Sequence, residues 1–285
     1  MKTQPCLRFV GLSLSGTKST KSSFAILEYY EKQDKVVLSH IFDKISVLDQ
    51  VSSDELILEN LKNLENLTSV FVNAPLQLPK CMRCKLVCPG YDKCSEPEIK
   101  WMNTFYDKES IQKKPHKVLS PYTEKCGELY WKNAIEDEKF ILDHAGGANK
   151  ASIMFRAMYL NRCFDNIKKN NKSSKNSNKK PVSWHQFFPQ LSVWQWGRSL
   201  KVAKSHLRFY SHSIHGREAR EVFLSQLSKK TSLFFYDVEG KKIIHDKHSF
   251  EALIGALTAF SHYNNEYFKR PKAFPTKESW PIVPI

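Results

Sequence analysis

A chain of 285 residues with 41% hydrophobic and 12% aromatic content can bury a large core, and nothing in its composition demands a second domain. The formal charge of +15 implies attraction to polyanions such as nucleic acid or an anionic membrane surface, or else a solvated lysine-rich exterior. No apolar run approaches the ~20 residues of a bilayer-spanning helix, and Arg8, Ser13 and Ser15 interrupt the first apolar stretch, so neither a membrane partner nor a signal peptide is expected.

Three β-rich runs, 8–14, 23–30 and 35–42, are separated by short polar stretches and read as a meander of two hairpins. The segment SSDE at 52–55 is a capping-box pattern. Leu56, Ile57, Leu61 and Leu64 follow it at helical spacing, so a helix is predicted to begin near Asp54. The apolar run at 69–73 has the composition of a buried parallel strand, ended by Ala74 and Pro75. Residues 76–120 form an insertion outside the sheet, and helices are predicted over 121–133 and 151–167.

The stretch 168–180 holds six lysines (Lys168, Lys169, Lys172, Lys175, Lys179 and Lys180) among Asn and Ser, with no acid. It has almost nothing to bury and is predicted as a disordered surface loop able to neutralise phosphates. The pattern resumes with a strand at 181–187, helices at 191–202 and 217–229, a short strand or edge at 232–238, and a last helix over 247–264. On that helix Ala252, Gly255, Ala256 and Ala259 make a small-residue face suited to close approach to a sheet. The expected architecture is one α/β domain over 1–285, a mixed five-stranded sheet flanked by helices.

Four of the seven cysteines, Cys81, Cys84, Cys88 and Cys94, fall within fourteen residues. That spacing suits convergence on one ion better than disulfide pairing, and it points to a reducing, cytoplasmic location. Four thiolates saturate a tetrahedral zinc, leaving no open position, so the centre reads as structural; an iron–sulfur cluster is the alternative. Lys80, Arg83, Lys85 and Lys93 offset the charge of such a centre. Cys6, Cys126 and Cys163 read as ordinary core thiols, and Trp184, Trp194 and Trp196 as core aromatics rather than base-stacking platforms.

Six segments in order, VGLS at 10–13, VNAPL at 72–76, the cysteine loop running into PEIKW at 97–101, SPYT at 120–123, QFFPQLSVW at 186–194 and EALIGA at 251–256, carry a wider likeness. Together they resemble an uncharacterised bacterial and archaeal family of predicted nucleases with the RNase H fold. The resemblance implies an RNase H-like sheet and a site in which four carboxylates hold two Mg²⁺ or Mn²⁺ ions. The family's acidic positions fall here on Ser13, Asn73, Gln186 and Glu251, so three of the four charges are absent. Two-metal hydrolysis is therefore expected to be crippled, because Mg²⁺ is held mainly through carboxylates and phosphates.

What remains is a nucleic-acid-binding pseudo-nuclease, for DNA or RNA and without sequence preference. Two other readings stand beside it. One is an active nuclease with a rearranged metal site drawing on Asp246, His248 and Glu251; the other is a protein-interaction module in which the basic charge is incidental. For Asp246 and His248 the plainer role is capping the last helix.

Overall fold

The computed structural model describes residues 6–16, 21–45, 51–110, 119–134, 142, 145–147, 150–171 and 181–285, with the backbone alone at 106–110 and 168–171. The chain opens with β1 (Leu7–Ser13), β2 (Ser22–Tyr30) and β3 (Lys35–Ile45), followed by α1 (Ser53–Asn63) and β4 (Leu67–Val72). The capping box forms as its residues dictate: the Ser52 hydroxyl accepts from the Glu55 N–H at 3.2 Å, and the Ser52 N–H donates to the Glu55 carboxylate at 2.8 Å. Helices α2 (Lys80–Arg83), α3 (Pro97–Ser110), α4 (Cys126–Ala134) and α5 (Ala151–Asn171) intervene before β5 (Ser183–Gln186). Then come α6 (Pro189–Ser199), α7 (Lys204–Phe209), α8 (Gly216–Lys230), β6 (Leu233–Phe235), α9 (Asp237–His245) and α10 (Lys247–Tyr263).

The six strands form one mixed sheet in the order β5-β4-β1-β2-β3-β6. Strands β1, β2 and β3 are the antiparallel meander, whereas β4 runs parallel to β1, β5 to β4 and β6 to β3. The expected count of five falls short by β6. Three residues of the run expected at 232–238 as a short strand or edge, Leu233, Phe234 and Phe235, pair with Val36, Val37 and Leu38 and extend the sheet.

Period-two alternation gives the sheet two buried faces. Phe9, Leu27, Phe71 and Phe187 pack into the core beneath α6, α8 and α10. Val10, Leu12, Val70 and Val72 pack on the other side, with Ile57 and Leu61 of α1 and Leu160 and Phe164 of α5. The result is three layers, helix on sheet on helix. The small-residue face of α10 does what its composition predicts. A Cβ on Gly11 would lie 2.0 Å from the Ala252 carbonyl oxygen and 2.2 Å from the Ala256 nitrogen, so only glycine lets α10 lie this close to β1. That contact sets the depth at which Glu251 meets the end of β1.

The helix expected over 121–133 begins only at Cys126, after a turn at 121–123. The short α7 lies in a stretch where the sequence pattern predicted no element, and α9 begins at Asp237, inside the end of the run expected as strand over 232–238, and continues through residues given no element. Helix α5 continues to Asn171, into the segment expected as loop. Residues 172–180, with Lys172, Lys175, Lys179 and Lys180, and the side chains of Lys168 and Lys169 lie outside the described residues. Trp194 is buried in the core, Trp196 packs against that core, and Trp184 packs against the opposite one, in line with the core reading. No helix is long and apolar enough to cross a membrane among the described residues.

Candidate functional site: a polar cavity at the ends of the parallel strands

Open α/β sheets bind ligands beyond the carboxyl ends of their parallel strands, where loops and helix N-termini leave a crevice. Strands β1, β4 and β5 end here at one cavity of about 280 Å³. Leu14 follows β1 and Asn73 and Pro75 follow β4; Gln186 ends β5 and Phe188, Pro189 and Gln190 follow it; Lys247, His248 and Glu251 come from the first turns of α10. The four positions implied by the resemblance are thus brought to one place by four separate elements. Asn73, Gln186 and Glu251 line the cavity, and Ser13, fully buried, donates from its hydroxyl to Glu251 Oε2 at 3.0 Å.

The hydrogen bonds around Ser13 close on themselves. Its single proton goes to Glu251, so the 3.1 Å contact with His248 Nδ1 is one in which the serine oxygen accepts. That assigns the imidazole proton to Nδ1 and leaves the lone pair on Nε2. Asn73 Nδ2 donates to the same oxygen at 3.4 Å and to the Leu14 carbonyl at 3.0 Å, while Asn73 Oδ1 accepts from the Leu14 N–H at 2.9 Å. Asn73 therefore stitches the end of β4 to the end of β1. The second Glu251 oxygen accepts from Tyr210 Oη at 3.3 Å and lies 3.6 Å from Lys247 Nζ.

Gln186 differs from its neighbours. It is 5% exposed and lines the cavity, yet its side-chain amide has no hydrogen-bond partner among the described residues.

Titration in this pocket is governed by burial. Burial holds His248 below the ordinary histidine value, against the opposing pull of Glu251 and Asp246, so the imidazole is neutral at pH 7. Asp246 does not join a metal set with them. Its Oδ2 accepts from the Ser249 N–H at 2.7 Å and the Ser249 hydroxyl at 2.9 Å, which makes it the N-cap of α10. Glu128, which sequence reasoning did not single out, also lines the cavity. Burial pushes its carboxyl up to about 7, although the backbone N–H of Ala145 and the charge of Lys125 pull the other way. Its only sequence signal is a glutamate in the first turn of a helix; its Oε2 accepts the Lys125 N–H at 3.1 Å. His185 is pushed down to about 4 by burial and by neighbouring His262; it packs between the rings of Phe71 and His262 and does not line the cavity. Ala145, in a turn at 145–147, contributes to the cavity wall; Asp143 and His144 lie outside the described residues.

The cysteine loop sits apart, on its own small core. Cys81 lies in α2, Cys84 ends that helix, and Cys94 follows a 3-10 turn over Tyr91–Lys93, with Gly90 at φ 88° just before it. Cys81 and Cys94 pack against a cluster of Ile99, Met102, Leu119, Cys126, Leu129 and Phe274. The thiol of Cys81 is raised first by burial and then by the charges of Cys94, Cys88 and Cys84, so the four sulfurs are electrostatic neighbours. Among the described residues, however, no three His, Cys, Asp or Glu side chains are drawn together as a ready-made metal group.

Two of the cations expected to offset a tetrathiolate are engaged elsewhere. Lys80 pairs with Glu96 at 2.6 Å and Arg83 with Glu278 at 3.2 Å. The buried Lys125 meets the same Glu278 at 3.4 Å, tying the insertion and α4 to the C-terminal segment. Of the isolated thiols, Cys6 and Cys126 are buried, and burial raises both.

No family model, curated protein or solved structure matches the chain. The fold and site by themselves define an α/β protein with a polar cavity at the carboxyl ends of three parallel strands.

Proposed function

We propose that this is an RNase H-like nucleic-acid-binding protein whose hydrolytic site has degenerated, carrying a structural zinc loop. The observation that supports it best is the convergence of Ser13, Asn73, Gln186 and Glu251, the positions named by the resemblance, on one end of the sheet. A strand order of β5-β4-β1-β2-β3 with β2 antiparallel is the arrangement this reading requires, with β6 as an addition at the far edge. One carboxylate replaces four. Ser13 and Asn73 direct their polar atoms to each other, to the backbone and to Glu251, a network with a single carboxylate where the family would place paired cations. In the insertion, Cys81, Cys84, Cys88 and Cys94 would hold the zinc, which would order the loop.

The net charge of +15 is the second support, and it predicts a salt-dependent association with DNA or RNA. Each neutralised phosphate contributes about 0.9 to the slope of log affinity against log salt. Deleting residues 168–180, with their six lysines, lowers that slope by several units and leaves the fold intact. Affinity that does not change between low and moderate salt refutes nucleic-acid binding. One observation favours the rearranged-nuclease reading: His248, neutral and with Nε2 free of the Ser13 contact, lines the same cavity as Glu251. Cleavage assays with Mg²⁺ and Mn²⁺ separate the two readings.

A further inference from the structure

The cavity has features that a relic metal site does not need. Helix α6 begins at it without a side-chain cap: Phe188 is the N-cap, Pro189 has no N–H, and the N–H groups of Gln190 and Leu191 find no partner among the described residues. Unsatisfied N–H groups at a helix start attract anions. The first turn of α5, which supplies Ile153 to the cavity wall, contains no acidic residue, and Lys150 precedes it at the same wall; α10, which supplies Lys247 and His248, is already capped by Asp246. Independently, the buried amide of Gln186 looks into this space with both its donor and its acceptor unused.

The acids that face the cavity are accounted for. Glu251 is held by Ser13, Tyr210 and Lys247, and Glu128 by backbone N–H groups.

We infer that the cavity binds a small phosphate monoester of mononucleotide size, with the phosphate at the start of α6 near Lys150 and Lys247 and the attached group hydrogen-bonded by Gln186. The inference concerns the cavity, not the basic surface, but it rests on reading this end of the sheet as a retained nucleic-acid pocket. A volume of about 280 Å³ holds one such unit and no more. An amide offering adjacent donor and acceptor matches the edge of a nucleobase, as Gln does when it reads adenine. Two sources share this chemistry, a free mononucleotide and the phosphorylated 5′ end of a strand.

Calorimetric titration of the full chain with 5′-mononucleotides tests it. The expected result is one saturable site per chain, weakened at least tenfold when the nucleoside without phosphate is used and at least tenfold by Gln186→Leu. Lys150→Glu, at the cavity rim, should weaken mononucleotide and inorganic phosphate alike, and so covers the case in which the Gln186 variant does not fold. Displacement of the mononucleotide by a 5′-phosphorylated trinucleotide, but not by its unphosphorylated form, assigns the strand end; displacement by neither assigns the free nucleotide. Equal affinity for nucleoside and nucleotide, equal displacement by both trinucleotides, or no binding at all overturns the inference. Long unphosphorylated oligonucleotides report separately on the basic surface, so failure there with mononucleotide binding intact counts against surface binding alone.

Discussion

The cavity end of the sheet and the cysteine insertion assemble their polar residues in opposite ways. At the cavity, Ser13, Asn73, Gln186 and Glu251 are distant in sequence and meet because β1, β4, β5 and α10 end or begin at one place. In the insertion, four cysteines lie within fourteen residues and depend on little of the fold to be neighbours. The first region is rigid by packing: Gly11 against α10, and Asn73 locking two strand ends. The second has a core of six buried residues and, on the zinc reading, requires a metal to fix it. Sites built from the topology of a packed sheet inherit its stability, whereas sites built from local sequence need their own.

The largest effect that tests this contrast is metal removal. On the zinc reading, chelation would withdraw on the order of 10 kcal/mol of ion binding from the loop, and Cys84→Ser, which removes one of the four ligands, a part of it. Hydrogen exchange should then show lost protection over α2 and the start of α3 while β1, β4 and α10 stay protected. Equal loss in both regions would show that the insertion is not a separately held unit. Freshly reduced protein should carry about one zinc per chain; iron with sulfide, or no metal, breaks the zinc reading.

Next in size is Gly11→Ala. Its new Cβ meets backbone atoms at 2.0 and 2.2 Å, which no side-chain rearrangement relieves, so a loss of roughly 3 kcal/mol or more is expected in denaturant unfolding. The same change should lift α10 and weaken mononucleotide binding, with zinc content unchanged.

A smaller effect concerns pH. The Glu128 carboxyl titrates near 7 in the folded protein against 4.5 as its ordinary value, so the fold favours its protonated form. Its contribution is complete below about pH 4.5 and is lost as pH rises through 7, at most roughly 3 kcal/mol. Glu128→Gln mimics the protonated form, and the stability difference between variant and parent should therefore grow in the variant's favour across that interval. Comparing the two proteins isolates this slope from His185, whose depressed pKa of about 4 costs stability as pH falls below about 6.5. A difference independent of pH would mean that Glu128 is charged throughout.

Much of the scaffold was legible in the sequence because its signals are local. The meander follows from alternation, α1 from its capping box, and the close approach of α10 from Ala252, Gly255 and Ala256. Helix α9 was missed because it is nine residues long, only Ile243 among its apolar side chains is fully buried, and it starts inside a run rich in β-forming residues. Strand β6 is three residues long and owes its place to pairing with β3, a tertiary fact. The convergence of Ser13, Asn73 and Gln186 was expected only through the resemblance, since neutral polar residues at strand ends are ordinary by themselves. Glu128 was out of reach, because a first-turn glutamate looks the same whether it faces water or a cavity.

The central claim is that three neutral side chains stand where a two-metal nuclease needs carboxylates. The most direct measurement compares Mn²⁺ binding and nucleic-acid cleavage by the natural protein and by the triple variant Ser13→Asp, Asn73→Asp, Gln186→Glu. The account predicts no metal-dependent cleavage by the natural protein, and Mn²⁺ binding in the cavity, with weak hydrolysis, in the variant. Mg²⁺- or Mn²⁺-dependent cleavage by the natural protein, abolished by Glu251→Gln or His248→Ala, contradicts it and establishes a rearranged active site.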